Sequence, residues 1–276
     1  MNRNAINKAV VALLLAGAAA SASAHRPWMI PSASLVESKD AWVTIDGAVS
    51  EGLFDYDHVP LKLDGLAVTG PDGALSAAPA PVRMKLRNSV DLQLPKDGTY
   101  RISLVSNNVM GRYAVGGEVK NFRGSEAAWS KELPAGAQDV RTTVTHTRIE
   151  TFVSANKPSD GALKPTGVGL ELVPLTNPTE LHSGETARWR FILDGKPLPN
   201  HPFSLVPGGA RYRGTIGEIR LVTDARGEVT VTLPAANRYW LNATWPANAG
   251  KGMAPDDGPA HVRRCSYIAT LEVLPE

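Results

Sequence analysis

His25 combines residue type and position in the way most suggestive of chemistry. It follows Ala22-Ser23-Ala24, whose small residues form an A-x-A cleavage site. Ahead of that site lie a basic start with Arg3 and Lys8 and the uncharged run AVVALLLAGAAA at 9–20, the pattern of a secretory leader. The run is too short for a spanning helix. Cleavage after Ala24 would make His25 the mature N-terminus, so that one residue offers two nitrogen donors, a freed α-amine and an imidazole. Reference values of about 7.7–8.0 for the amine and about 6.5 for imidazole allow both to ligate near neutral pH. Imidazole nitrogen suits nickel, copper and zinc. The plain alternative is that the peptidase simply leaves a histidine there.

A metal needs further donors, and six histidines are available, all after residue 24. His58 stands in Asp55-Tyr56-Asp57-His58, the densest group of ligand types. Asp55 and Asp57 are candidate oxygen donors or groups that orient a histidine; the alternative is a solvated acidic loop. His146 lies in the strand-like run VTHTRIETFVS (144–154), on the face that also carries Arg148 and Glu150. Its neighbour Arg148 opposes a cation, which leaves an ordinary polar-face histidine as the other reading. His261 and Cys265 share a face if extended, but no second cysteine supports a thiolate site, so Cys265 reads as a buried thiol. His182 and His201 read as turn residues.

Catalytic motifs are missing. There is no G-x-S-x-G, H-E-x-x-H, P-loop or G-x-G-x-x-G, and the carboxylates are scattered. An activity is therefore not expected. The leader holds two of the 29 basic residues, leaving 27 against 27 acidic ones in the mature chain. That balance argues against nucleic acid or an anionic membrane surface as partner. A single cysteine rules out an intramolecular disulfide, so packing must stabilise the fold.

The elements that would hold these residues read as strands. Short β-prone runs alternate with turn signals such as Asp64-Gly65, Pro71-Asp72-Gly73 and Lys96-Asp97-Gly98. TYRISLV (99–105) puts Tyr100, Ile102 and Leu104 on one face, and only 125–133 reads as a short helix. Residues 156–169, rich in Pro, Gly and Ser, read as a boundary. Beyond them about seven short strands recur at sandwich spacing. The expected fold class is all-β, with two immunoglobulin-like or prealbumin-like β-sandwich domains after a cleaved signal peptide. The expected divisions are 1–24 for the leader, 25–156 for the first sandwich, 157–168 for a linker and 169–276 for the second.

Four stretches carry a family resemblance: Ala24-His25-Arg26-Pro27-Trp28-Met29-Ile30-Pro31; Gly169-Leu170-Glu171-Leu172-Val173-Pro174 with Asn177-Pro178; Asp194-Gly195-Lys196-Pro197-Leu198; and Ser266-Tyr267-Ile268-Ala269-Thr270-Leu271-Glu272-Val273. In these the chain resembles a bacterial periplasmic family with a domain of unknown function, associated with nickel or cobalt uptake. The resemblance implies a periplasmic metal-associated accessory protein whose partners are a transition metal ion (nickel or cobalt, with copper a third option) and a membrane permease component. It also implies a ligand at His25. Where relatives tend to carry histidine after the strand resembling 239–244, this chain has Trp245-Pro246. Two other readings remain: an interaction module without metal, and a copper-dependent polysaccharide monooxygenase, which also starts at a mature histidine and would use Trp28 on a flat surface.

Overall fold

The computed structural model describes residues 25–249 and 258–276. The expected leader, 1–24, lies outside the described residues. No described helix is long and apolar enough to cross a membrane.

The chain is all-β. In order it forms β1 (Arg26–Pro31), β2 (Leu35–Val36), β3 (Trp42–Ser50), β4 (Val59–Pro60), β5 (Ala67–Thr69), β6 (Leu75–Ala77), β7 (Val82–Arg83) and β8 (Asn88–Gln93). The long β9 (Gly98–Val115) turns at Gly116-Gly117 into β10 (Glu118–Ser125), and after helix α1 (Glu126–Glu132) the equally long β11 (Gln138–Ala155) returns. Ser125 caps the helix, its side chain accepting from the Ala128 N–H, as the short helical reading of 125–133 requires. After a 3-10 turn (Gly161–Leu163) come β12 (Leu170–Pro174), β13 (Thr186–Leu193), β14 (Lys196–Pro197) and β15 (Pro202–Pro207). The one-turn α2 (Ala210–Arg213) precedes β16 (Ile219–Val222), β17 (Glu228–Thr232), β18 (Asn237–Trp245) and β19 (His261–Val273).

One sheet organises the molecule, in the order β16-β15-β18-β19-β11-β9-β5-β6. All its path pairings are antiparallel except β11 with β19. Because side chains alternate along a strand, its two faces build two cores. On the first face Tyr100, Ile102, Ile149, Val153, Trp240 and Ile268 meet Trp28, Ile45 and Leu92 of the sheet β1-β3-β8-β7. On the second, Phe152, Tyr239, Leu241, Tyr267 and Leu271 meet Leu172, Trp189 and Phe191 of the sheet built on β12-β13-β14 with β17. Each large apolar side chain taken fully out of water contributes about 1.5–3 kcal/mol.

The 157–168 boundary therefore separates the chain in sequence but not in hydrogen bonding. The central sheet takes β9 and β11 from before it and β15, β18 and β19 from after it. The segment itself is clamped: Ala162 and Leu163 are buried. The buried Arg148 side chain reaches Thr166 Oγ1 at 2.8 Å. Glu171, also buried, accepts from the backbone N–H groups of Thr166, Gly167 and Val168. A Pro/Gly/Ser-rich composition marks turns well, yet it does not say whether polar side chains elsewhere will hold them.

A second clamp predicts a pH effect. Asp194, in the turn after β13, accepts from the Gly169 N–H at 3.0 Å and takes the Arg263 guanidinium at 2.6 and 2.8 Å. The Arg263 hydrogen bonds, foremost, lower its pKa to about 2. A depressed folded-state pKa stabilises the fold above the ordinary aspartate value of about 3.9, and that contribution fades as pH falls toward 2. Asp194→Asn should thus be less stable than the parent at pH 6, with the gap closing between about pH 4 and pH 2. Urea melts across that range check it; a gap independent of pH would contradict the assignment.

Candidate functional site

Four of the five residues proposed from the sequence, His25, Asp55, Asp57 and His58, fall at the C-terminal end of β3. Strand β1 pairs along one edge of β3, with Arg26 opposite Ser50, and β4 along the other, with Val59 opposite Val49. His25 lies one residue before the first strand and His58 one residue before the second, so both flank Glu51. Their rings stack, with centroids 3.9 Å apart and planes 14° from parallel. His25 Nε2 lies 3.5 Å from Glu51 Oε1. The His25 side chain is 46% exposed and Glu51 60%, so this pair sits at a wet rim.

The loop between β3 and β4 is shaped for this delivery. Asp57 accepts from the Glu51 N–H at 3.0 Å and the Gly52 N–H at 2.8 Å, folding the loop back on itself. Gly52 needs to lack a Cβ, which would come within 3.2 Å of the Asp55 carboxylate carbon. Asp55 points instead to Arg211, 3.5 Å away. Phe54, at φ 66°, packs edge-on against Trp28 with centroids 5.7 Å apart. The Tyr56 hydroxyl donates to Asp46 at 2.9 Å, beneath the Arg87 guanidinium. Burial and Asp46 raise the Tyr56 pKa. Asp55 and Asp57 thus organise the loop that carries His58 and do not converge with the two imidazoles.

Beneath the histidines, Trp28 is wholly buried and its indole N–H donates to buried Ser50 Oγ at 2.7 Å. The flat binding surface that the monooxygenase reading asked of Trp28 is therefore not formed by it. Ser50→Ala leaves that N–H without its acceptor and should cost about 1–3 kcal/mol. Chemical denaturation measures this; a change under about 0.5 kcal/mol would show that the indole finds another partner.

His146 is placed elsewhere. Its neighbours Thr145 and Thr147 face the side of the sheet where His25 lies, so His146 faces the opposite side. There it is buried, with Nδ1 2.7 Å from Asn107 Oδ1 and Nε2 against Gly169, where a Cβ would stand 2.6 Å from that nitrogen. Desolvation first, then Arg148 and Arg263, lower its pKa. The sequence placed His146 with Arg148 and Glu150 as the alternation requires, but could not say which face His25 would share. Cys265 is a buried thiol whose pKa burial raises, and the exposed His261 pairs with Thr142 instead.

Among the described residues no three His, Cys, Asp or Glu side chains group as a metal site. The side chains supply two imidazoles with a carboxylate beside them. The parallel rings direct their in-plane lone pairs side by side, so both could ligate one ion only after a ring turns about its exposed side-chain bonds. A further nitrogen, the His25 α-amine, would be available only in a chain cleaved after Ala24, the cleavage expected from the sequence.

A groove unforeseen from the sequence opens beside His25. Its volume is about 740 Å³, and its floor is the part of the central sheet's first face that β1 leaves uncovered. Arg26, Arg220, Arg264 and Glu218 line it together with small polar residues of β11, β15, β18 and β19. At its inner end Trp240 donates to the Pro27 carbonyl at 2.9 Å, and the Arg26 guanidinium lies 5.9 Å from its ring centre. The available signal was the change from apolar to hydroxyl and amide residues along Trp240-Asn242-Thr244 and Ile268-Ser266, invisible until the strands are aligned.

The sequence matches the family described as Domain of unknown function (DUF4198) over residues 22–247. The chain belongs to this family. No curated protein matches it. Among solved structures, the D0-D1 domain of intimin has 10% identity over 89% of this chain and 97% of its own, with a TM-score of 0.22. A trypsin-activated alpha-2-macroglobulin from Escherichia coli has 11% identity over 90% of this chain and 23% of its own, with a TM-score of 0.23. Likenesses this distant carry no argument about function. The family match begins before His25 and runs through β18, so it encloses the whole histidine pair and loop.

Proposed function

We propose that this member of the DUF4198 family is a periplasmic metal-associated accessory protein without catalytic activity, binding nickel or cobalt for uptake at its mature N-terminal histidine. The observation that carries this reading is the pairing of His25 with His58, two residues far apart in sequence whose rings meet at 3.9 Å on an exposed rim. His25 supplies amine and imidazole, His58 a second imidazole, and Glu51 stands within reach of His25. The rigid sheet edge behind them, pinned by Trp28 and the Asp57 turn, fixes where the donors stand. Such exposed donors suit a protein that must hand its ion on, for which a membrane permease component is the natural receiver.

The test is calorimetric titration of the correctly processed chain with Ni²⁺, Co²⁺ and Cu²⁺, with intact mass establishing that it starts at His25. Tight one-to-one binding with nickel or cobalt preferred supports the reading. No binding by the processed chain would favour a β-sandwich interaction module without metal, and a strong preference for copper would reopen the copper-enzyme alternative.

A further inference from the structure

We infer that the turn joining β7 to β8 docks on an anionic lipid bilayer, with Val82, Met84 and Leu86 entering its interface and Lys85 meeting its headgroups. The sequence here alternates apolar and cationic residues, Val82-Arg83-Met84-Lys85-Leu86-Arg87, and the surrounding stretch 74–90 holds no acidic residue. Every residue from 82 to 86 is exposed, with Val82 at 64%, Met84 at 37% and Leu86 at 40%. Single exposed apolar side chains are ordinary on a surface, but three within five residues mark a contact site.

Hydrogen bonding fixes this stretch as a closed turn. Val82 stands opposite Ser89 and Arg83 opposite Asn88. The Met84 N–H donates to the Arg87 carbonyl at 3.1 Å and to Asn88 Oδ1 at 3.2 Å, leaving Lys85 and Leu86 as the loop between. Asn88 in turn donates to the Leu61 carbonyl at 2.8 Å, which ties the turn to the segment after β4. A turn closed upon itself suits a lipid interface, where open backbone groups find few partners.

The charges favour a bilayer over a protein groove. Arg83 is held by Asp64 at 2.6 Å, and Arg87 lies 3.5 Å from Asp46 and 4.8 Å over the Tyr56 ring. Those two cations brace the turn and add little attraction. Lys85 pairs with no described group. Residues 25–276 balance 27 basic against 27 acidic side chains, so the whole chain offers no net pull and the apolar side chains carry most of the binding. A protein groove recognises directional polar groups, and those of this turn are already engaged. A fluid interface asks only for apolar side chains and a flexible ammonium, and a contact this small is reversible.

Register also places the turn beside the histidine rim. Asn88 stands opposite Gly47, and β4 continues along the same edge of β3 at Ala48 and Val49. The turn therefore lies toward the end of β3 that carries His25 and His58, where Val59, just after His58, is exposed as well. A bilayer contact here holds that rim near the lipid surface. The inference goes beyond the metal reading and stands without it.

Co-sedimentation with vesicles tests it, on the processed chain in EDTA, because the apolar run 9–20 would itself enter lipid. One vesicle type is phosphatidylcholine alone; the other is phosphatidylcholine and phosphatidylglycerol in equal parts. The parent should sediment with both, about fivefold more tightly with the anionic one, the effect of one lysine near such a surface. Lys85→Gln should erase that preference. Leu86→Asp should stay in the supernatant with both vesicle types at an unchanged melting temperature, and Leu86→Gln, a milder change at the same exposed position, should bind more weakly than the parent. A parent that does not sediment would overturn the inference and leave the turn to a protein partner. Leu86 variants that bind like the parent, or a Lys85→Gln protein that keeps the anionic preference, would overturn it too. Metal titration of the same sample reports the histidine site separately.

Discussion

His25→Ala in the processed protein is expected to weaken nickel or cobalt binding by about 100-fold or more while leaving the melting temperature unchanged. The change removes an imidazole from a site with few donors, and outer-shell changes alone commonly cost 10–100-fold. Stability should hold because the side chain is nearly half exposed and its polar contact is the pair with Glu51; surface changes of this kind stay within about 0.5 kcal/mol. His58→Ala should also weaken binding, by about 10- to 100-fold, since its imidazole is the other nitrogen within ring contact. Uncleaved precursor should resemble His25→Ala, because an amide nitrogen replaces the amine. Both donors must be deprotonated to ligate, so affinity should fall as the solution is acidified. A His25→Ala protein that binds as tightly as the parent would remove the site from this rim, and His146 could not replace it from the other face of the sheet.

Glu150→Ala is expected to destabilise the fold by about 3–5 kcal/mol, because it strips the shared acceptor from a buried polar cluster. Glu150 is 2% exposed between β9 and β19. Its carboxylate accepts from Ser103 at 2.9 Å, Arg148 at 3.1 Å and the Tyr267 hydroxyl at 2.8 Å, with Arg101 at 3.8 Å. Truncation leaves two buried guanidinium groups beside a cavity, and breaking a buried pair from one side carries that penalty. Burial, followed by Glu150, raises the Tyr267 pKa well above its ordinary value, keeping the phenol a donor. Tyr267→Phe should cost about 1–2 kcal/mol, since one hydrogen bond to a charged acceptor is lost. Denaturant melts of both variants decide; a Glu150→Ala loss under about 1 kcal/mol would mean that water enters and solvates the arginines. Because Arg148 also holds Thr166, the same variant should loosen the 161–169 segment, read as faster amide exchange there.

Local signals carried much of the fold. Alternation in TYRISLV placed Tyr100, Ile102 and Leu104 together in the first core, and the seven strand runs after residue 169 appear as β12, β13 and β15 to β19. Periodicity of two and turn dipeptides act within a few residues, so they are written in the chain. His25 stood out in the sequence because the expected cleavage motif and the residue after it are contiguous. The grouping of Asp55, Asp57 and His58 was visible as a cluster, but its division of labour was not. Only the folded loop directs the Asp57 carboxylate to the Glu51 and Gly52 amides and Asp55 toward Arg211.

What the sequence determined by itself is strand content, turn positions and the face each side chain shares with its near neighbours, because these follow from backbone geometry repeated every two residues. The tertiary structure alone decided which faces meet. It set His58 against His25 through pairings on opposite edges of β3, and sent His146 to the far side of the central sheet. It joined the expected two sandwiches through one shared sheet, and it aligned four polar strand ends into a groove. Each depends on register between strands many residues apart, which is fixed by the burial of whole faces and leaves no mark at any one position.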